Sequence, residues 1–302
     1  MPSRRLRWHA PFLFAVSMAA LSPAGASTPR LSSTKVEVAP HVYLNVIEAG
    51  VATAEAPLVF IPGWSTGADI WSAQIDRFAK TRRVVAFDPR SQGNSTKATS
   101  GNTPETRAKD LRELLQKRRI RRPVLVGWSQ GVQDVAAYVS IFGSKDLAGI
   151  VLVDSTMSKG ARAIGDSPAN AAMMFDRLTV YQRHQEDYLR AMFGFIISKP
   201  QPSAAMAQLV MTGLKTPPTI GAAMLVADLY GQDRSAALDR VSVPVLVIAA
   251  GNSPELEAQR AMAAQIPGAR FEIVDGASHA VFLDQPERFR AILTAFLDHI
   301  AS

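Results

Sequence analysis

The sequence predicts an α/β fold, a mostly parallel β-sheet with helices on both faces. Three observations carry this prediction. Short apolar runs alternate with segments of helical periodicity along the chain, as they do where helices join parallel strands. The pentapeptide Gly-Trp-Ser-Gln-Gly at 127–131 lies between an apolar run and a helical pattern, which is typical of a sharp strand-to-helix turn. Residues 155–243 break the alternation with helical segments only, which predicts a helical lid inserted between two late strands.

Each element follows from its own pattern. The predicted strands are runs rich in Val, Ile, Leu and Phe, and they cover 36–47 (one or two strands), 57–61, 83–87, 123–126, 149–153, 245–249 and 270–274. The predicted helices cover 70–78, 103–117, 132–138, 255–265 and 286–300. Thr103 is the expected N-cap of the second helix, with Glu105 in its first turn. The 302 residues are 47% hydrophobic, enough for a large core.

The first 26 residues have the three parts of a signal peptide. Arg4, Arg5 and Arg7 form a positive region, an apolar run at 11–21 follows, and Ala-Gly-Ala at 24–26 fits the cleavage pattern. The apolar run is too short to span a bilayer, so no stable membrane anchor is expected. We therefore predict a periplasmic or secreted protein, exported by the general or the twin-arginine route. The predicted divisions are 1–26 signal peptide, 27–154 and 244–302 the two parts of the core, and 155–243 the lid.

Charge and cysteine content exclude several classes of function. Removal of residues 1–26 with their three arginines lowers the formal net charge from +7 to +4, an ordinary value that indicates no nucleic-acid partner. The basic run at 117–122 is interpreted as a solvated helix end rather than a binding patch. The chain has no cysteine, which excludes disulfides, a thiol nucleophile and thiolate metal sites. We expect neither a metal nor an organic cofactor, and the sequence leaves the oligomeric state open.

Ser129, at the centre of the pentapeptide, is the candidate nucleophile. A serine hydroxyl needs a base within hydrogen-bond reach and an acid that orients the base. His279 is the candidate base, because it follows a late strand in a loop at the sheet edge that carries Ser129. The other histidines lie in the signal peptide, an N-terminal strand, a charged lid segment and the last helix: His9, His41, His184 and His299.

Two backbone N–H groups are the expected oxyanion hole. The residue after the nucleophile supplies one such donor, which points to Gln130. Trp64 follows the strand at 57–61 and is the candidate for the other donor, with Gly63 allowing close approach.

Several segments of the chain resemble the α/β-hydrolase-fold superfamily, in particular its lidded esterases, lipases and haloperoxidase-like serine hydrolases. The resemblance covers the mature chain and rests on the pentapeptide and on segments 61–64, 88–95, 244–248, 276–279 and 285–289. Two positions depart from the family pattern. Pro62 stands where the family usually has histidine, and Ser91 where it usually has glycine. The oxyanion role is a backbone role, so neither departure removes it.

The acid of the triad has two candidates. The resemblance implies a carboxylate about nine residues past Pro244, but Ser253 occupies that position and Glu255 comes two residues later. Asp154 ends the strand at 149–153, where the similar haloalkane dehalogenases carry a carboxylate. We favour Asp154 over Glu255, because the usual position is vacant and the chemistry still requires an orienting anion.

The resemblance and the residues together imply an exported serine hydrolase that cleaves carboxylic esters or lactones through an acyl-enzyme. The expected partner is a small apolar or aromatic substrate, with the side chains of Trp64 and Trp128 shaping its pocket. Acyl transfer, perhydrolysis or carbon–carbon hydrolysis at the same site is an alternative. The other alternative is a non-catalytic function, that of a ligand-binding protein without turnover.

Overall fold

The computed structural model describes residues 33–301, so the predicted signal peptide lies outside the described residues. Eight strands form one sheet: β1 Ser33–Ala39, β2 Val42–Ala49, β3 Leu58–Ile61, β4 Val84–Asp88, β5 Val124–Trp128, β6 Gly149–Val153, β7 Val245–Ala250 and β8 Arg270–Val274. Their spatial order is β1-β2-β4-β3-β5-β6-β7-β8. The pairs β1–β2 and β2–β4 are antiparallel, and every later pair is parallel. The predicted α/β class with a mostly parallel sheet is confirmed.

Helices connect the strands and cover both faces of the sheet. They are α1 Ser72–Phe78, α2 Pro104–Lys117, α3 Gln130–Phe142, α4 Arg162–Asp166, α5 Pro168–Arg183, α6 Gln185–Ile196, α7 Ser203–Leu214, α8 Pro218–Tyr230, α9 Leu256–Ala264, α10 Val281–Asp284 and α11 Pro286–Ala301. Two 3₁₀ turns complete the set, Ala68–Trp71 and Ser235–Arg240. The side chain of Thr103 accepts a hydrogen bond from the Thr106 N–H, so the predicted N-cap of α2 is confirmed.

The predicted helix at 70–78 differs from the observed one in its first turn. Residues Ala68–Trp71 form a 3₁₀ turn, and α1 begins only at Ser72. The Trp71 ring stacks on Phe60 of β3 and on Phe282 of α10, with ring centroids 4.8 and 3.9 Å apart. A 3₁₀ turn is common at the start of an α-helix, and here it places the indole between two buried rings.

Two hydrophobic clusters lie on the two faces of the sheet. One contains Phe60, Trp71 and Phe296, and the other contains Val59, Leu111 and Val135. Strands β3, β5, β6 and β7 are buried along their whole length. Strands covered on both faces consist of continuous apolar residues rather than alternating ones, which explains the unbroken runs in the sequence.

The segment between β6 and β7 supplies α4 to α8, and no strand of the sheet comes from this fully described stretch. Within residues 33–301 no single helix has the length and hydropathy of a membrane span. The helices α7 and α8 meet that test only as a pair, by length and composition, and they are bent by 87°.

The chain order fixes where a site can form. β3 is followed by β4 on one side of it in the sheet, and β5 pairs with β3 on the other side. The loops after β3 and β5 therefore leave the sheet next to each other at the carboxyl edge, the position at which open α/β sheets bind ligands.

Candidate active site

Ser129 stands in the sharp turn between β5 and α3. Its backbone has φ 54° and ψ −116°, a region that non-glycine residues rarely adopt. A Cβ atom at Gly127 would lie 2.5 Å from the carbonyl oxygen of Gly131, and one at Gly131 would lie 2.6 Å from that of Ile61. The two flanking glycines therefore let strand, turn and helix approach closely, and Ser129 stays partly exposed above a buried strand.

A short chain of contacts joins the turn to the candidate acid and base. The Ser129 N–H donates to the carbonyl of Val153, 3.1 Å away, and the next residue is Asp154. Asp154 Oδ2 lies 2.8 Å from His279 Nδ1. No hydrogen bond joins the Ser129 hydroxyl to the His279 imidazole among the described residues, and such bonds are often loose before substrate binds. The loops after β5, β6 and β8 thus bring Ser129, Asp154 and His279 to one sheet edge.

The carboxylate of Asp154 is buried and fully hydrogen-bonded. Its Oδ1 accepts from the Ala250 N–H at 2.9 Å and from Gln259 Nε2 at 3.0 Å. Burial alone would raise the pKa of Asp154, but the hydrogen bond and charge of His279 and these two donors hold it below its usual value. An ionised acid at this position fixes the Nδ1–H tautomer of His279 and leaves Nε2 as the basic nitrogen.

Glu255, the other candidate acid, is the residue before α9. It makes no ion pair with His279 among the described residues, and the residue as a whole is exposed. Protein around its carboxyl group nevertheless raises the pKa of Glu255; the nearby charge of His279 opposes this and that of Asp154 adds to it. Glu255 is thus a neighbour of the Asp154–His279 pair and not its hydrogen-bonded partner.

Trp128 differs from its predicted role as a pocket wall. Its side chain is 2% exposed, and its Nε1 donates to the carbonyl of His279 at 2.8 Å. The indole ring lies 5.4 Å from the His279 ring and 5.2 Å from the Phe282 ring. With so little free surface, Trp128 supports the His279 loop from beneath and offers almost nothing to a substrate.

Trp64, one of the two predicted oxyanion donors, lies in the loop after β3. Neither the Trp64 N–H nor the Gln130 N–H has a protein acceptor among residues 33–301. A Cβ atom at Gly63 would lie 2.9 Å from the Trp128 ring and 3.2 Å from Ser129 Cβ, so glycine lets this loop approach the nucleophile. Two unpaired N–H groups beside a serine suit a developing oxyanion.

Gln92 holds this loop, a role that sequence reasoning missed. Its Oε1 accepts from the Ser65 N–H at 2.5 Å and its Nε2 donates to the Gly63 carbonyl at 3.4 Å. Its position within segment 88–95 was the only signal available, because a glutamine in a loop is normally solvated.

The side chains of Trp64 and Gln130 contact helices of the segment between β6 and β7. Trp64 Nε1 donates to the Gly221 carbonyl of α8 at 2.7 Å, and its ring packs on Tyr181, with centroids 4.6 Å apart. Gln130 Nε2 donates to Asp228 Oδ2 of α8 at 2.5 Å. These contacts fix α8 directly to both candidate oxyanion residues.

A buried ion network lies behind Gln130. Arg107 of α2 pairs with Asp134 at 2.8 Å and with Asp228 at 2.5 Å, and Arg234 pairs with Glu105 at 2.7 Å. Glu105 lies in the first turn of α2, as expected. It also pairs with Arg234, which comes from the segment between β6 and β7. Within residues 33–301 no group of three or more His, Asp or Glu side chains has a metal-binding arrangement.

Comparison with known proteins shows which family the sequence matches. Residues 58–292 match the model of the alpha/beta hydrolase family. A non-heme chloroperoxidase of Kitasatospora aureofaciens is 26% identical over 263 residues, 80% of this chain and 92% of that protein. A bifunctional esterase/perhydrolase of Acinetobacter calcoaceticus is 27% identical over 202 residues, 64% of this chain and 73% of that protein.

Solved structures agree on the fold. The crystal structure of a bromoperoxidase from Bacillus anthracis covers 88% of this chain and 100% of its own, with a TM-score of 0.78 and 20% identity. At that identity the likeness concerns the fold alone.

Proposed function

Because the chain belongs to the alpha/beta hydrolase family, we propose that it is a serine hydrolase that cleaves carboxylic esters or lactones through Ser129, His279 and Asp154. The observation that carries the proposal is the 2.8 Å contact between Asp154 Oδ2 and His279 Nδ1 at the sheet edge that carries the strained Ser129 turn. Esterase activity named for a relative over 64% of this chain supports the same class of substrate.

The proposed reaction has two halves. Ser129 Oγ attacks the ester carbonyl while His279 Nε2 takes its proton, and the N–H groups of Trp64 and Gln130 stabilise the oxyanion. His279 then returns the proton to the leaving alcohol, and an acyl-Ser129 ester remains. Water attacks that ester with His279 again as base, which releases the carboxylic acid and restores Ser129.

The apolar or aromatic character of the substrate is a further part of the proposal. It is supported by the half-buried Tyr188, whose ring packs on those of Trp64 and Tyr181 beside the candidate oxyanion loop. Export to the periplasm or the medium is proposed from residues 1–26 alone.

The test compares the protein with Ser129→Ala on p-nitrophenyl esters and lactones of graded acyl length. We expect the variant to lose at least about a thousandfold in kcat, because the nucleophile is absent. Labelling of the protein by a fluorophosphonate, abolished by the same substitution, would show that Ser129 is nucleophilic and would count strongly against a binding protein without turnover. Unchanged turnover in Ser129→Ala would contradict the proposed mechanism.

Perhydrolysis is the second candidate, because two relatives are named a chloroperoxidase and an esterase/perhydrolase. In that reaction hydrogen peroxide replaces water as the attacking group. The bond between the acyl group and Ser129 Oγ breaks, the acyl group leaves as a peroxy acid, and Ser129 regains its proton from His279. Product analysis with an ester and graded peroxide separates the two, since only perhydrolysis yields peroxy acid in proportion to peroxide.

A further inference from the structure

The carboxylate of Asp154 has one oxygen that does not face the histidine. Oδ2 contacts His279, while Oδ1 accepts from the Ala250 N–H and from Gln259 Nε2. Asp154 is 2% exposed, so protein donors have to satisfy Oδ1. The Ala250 donor belongs to the backbone of β7, which makes Gln259 the side chain through which a substitution can change this oxygen's environment.

The amide group of Gln259 is fixed by two acceptors from different segments. Its Nε2 carries two hydrogens and lies 3.0 Å from Asp154 Oδ1 and 3.0 Å from Ser253 Oγ. Ser253 is itself held, since its N–H donates to the Ala250 carbonyl at 3.1 Å and its Oγ accepts from the Glu255 N–H at 3.3 Å. The orientation of the Gln259 amide is therefore set by the turn that follows β7.

Gln259 lowers the stability of the fold in one respect, because its buried amide oxygen is unpaired within residues 33–301. The residue is 0% exposed on α9, and its Oε1 has no hydrogen-bond partner among the described residues. A buried amide oxygen without a donor destabilises a fold, and an apolar side chain of similar length would avoid that loss. Groups retained against stability are typical of residues that serve a site.

We propose that Gln259 is a positioning residue of the active site that acts through Asp154, orienting the carboxylate and stabilising its anion with an amide forked between Asp154 and Ser253. The proposal rests on the proposed hydrolase function for its kinetic consequence. Rotation of the Asp154 carboxylate would weaken the Oδ2 contact with His279, and the imidazole would then lose the tautomer that leaves Nε2 basic.

Two ionisable side chains interact with the Asp154 carboxylate. His279, in the loop after β8, is hydrogen-bonded to it, and Glu255, the residue before α9, interacts through its charge. The strand β7 contributes only its backbone N–H. Any effect of pH on the stability change caused by substituting Gln259 therefore has to be separated from the titration of these two groups. The Asp154→Asn background does this, because it removes the titration of Asp154 itself.

The kinetic experiment uses Gln259→Met, Gln259→Glu and, as matched control, Gln265→Met at the end of the same helix. The side chain of Gln265 is exposed, and its Nε2 donates to the carbonyl of Ala261. We expect Gln259→Met to lower kcat about ten- to hundredfold on p-nitrophenyl acetate, the loss typical of a hydrogen bond to a charged group, with KM changed less than about twofold. Gln259→Glu keeps the shape and adds a negative charge, so we expect a larger loss than with methionine.

A double-mutant cycle separates this role from a structural one. In the Asp154→Asn background, Gln259→Met should cause no further loss of kcat, because the group through which it acts has gone. An equal loss in both backgrounds, or full activity of Gln259→Glu, would overturn the proposal.

A second measurement does not depend on turnover. Removing the donor raises the folded-state pKa of Asp154, so Gln259→Met loses the stabilisation of the Asp154 anion in full above that raised pKa, and this loss shrinks as pH falls through it. In urea unfolding between pH 3 and pH 7, the difference in free energy of unfolding between Gln259→Met and its parent should therefore change with pH in the wild-type background and stay constant with Asp154→Asn. A difference independent of pH in both backgrounds would refute the contact's role, whereas absence of esterase activity in the unaltered protein would refute the proposed function alone.

Discussion

Asp154 Oδ2 lies 2.8 Å from His279 Nδ1, although 125 positions of the chain separate the two residues. Each follows a different parallel strand, and those strands end at one edge of the sheet. Because the same carboxylate also accepts two further hydrogen bonds, it is ionised and its plane is fixed. This pair is the basis of the first prediction.

Asp154→Asn should lower kcat by about three to four orders of magnitude, because an amide favours the wrong tautomer of His279. Glu255→Gln should change kcat by less than about threefold, since Glu255 makes no hydrogen bond with the imidazole. Steady-state kinetics on p-nitrophenyl acetate measure both. The reverse ranking would transfer the role of the acid to Glu255.

Trp128→Phe should destabilise the protein by about 1 kcal/mol more than Trp71→Phe. Both indoles are buried, but Trp128 Nε1 donates to the His279 carbonyl, whereas Trp71 Nε1 has no partner among the described residues. Trp71→Phe is therefore a matched control for the loss of ring volume. Urea unfolding gives the two free energies, and equal values would show that the Trp128 hydrogen bond contributes nothing.

Gly131→Ala should destabilise the protein and lower kcat, because the added methyl group would lie 2.6 Å from the Ile61 carbonyl oxygen and displace α3 from β3. Gly194→Ala is the control, since nothing lies within 4 Å of a Cβ atom there and the residue is inside α6. Alanine in a helix is favoured over glycine by about 0.5–1 kcal/mol. Opposite shifts of the thermal midpoint are expected, and a neutral Gly131→Ala would refute the tight turn.

The buried network behind Gln130 predicts a fall of stability with rising pH. It holds the acids Asp134, Asp228 and Glu105 against only two arginines, Arg107 and Arg234. Burial and the charge of Asp228 raise the pKa of Asp134 to about 7, against the opposing charge of Arg107. The folded protein therefore keeps a proton that the unfolded chain releases above about pH 4, so stability falls as pH rises from about 4 to about 7.

Asp134→Asn should reduce this fall, because asparagine keeps an acceptor for Arg107 and does not titrate. Asp228, whose pKa is also raised by burial, should account for the part that remains. Asp146→Asn, in an exposed pair with Arg112, is the control and should leave the pH dependence unchanged. The measurement is the urea midpoint of both variants and of the unaltered protein across pH 4 to 8. A profile of Asp134→Asn that parallels the unaltered protein would assign the titration to another group.

The sheet was predictable because each central strand is a short, unbroken apolar run, which is typical of a strand buried on both faces. The helical character of the segment between β6 and β7 was predictable for a similar reason, its lack of strand patterns. The four-residue helix α10 was not predicted, since it is too short to show periodicity. Trp128 was assigned to a substrate pocket because an aromatic residue beside a nucleophile gives no sign of which way its ring points.

The sequence by itself determined the fold class, the strained turn at Ser129 and the loop that carries His279, because local glycine, strand and helix patterns encode them. Only the tertiary structure decided that Asp154 and not Glu255 contacts His279, and that Gln92, Gln259 and Asp228 hold the residues around the site. Those contacts join segments far apart in the chain. Their formation depends on side-chain directions at one sheet edge, which no pattern of neighbouring residues specifies.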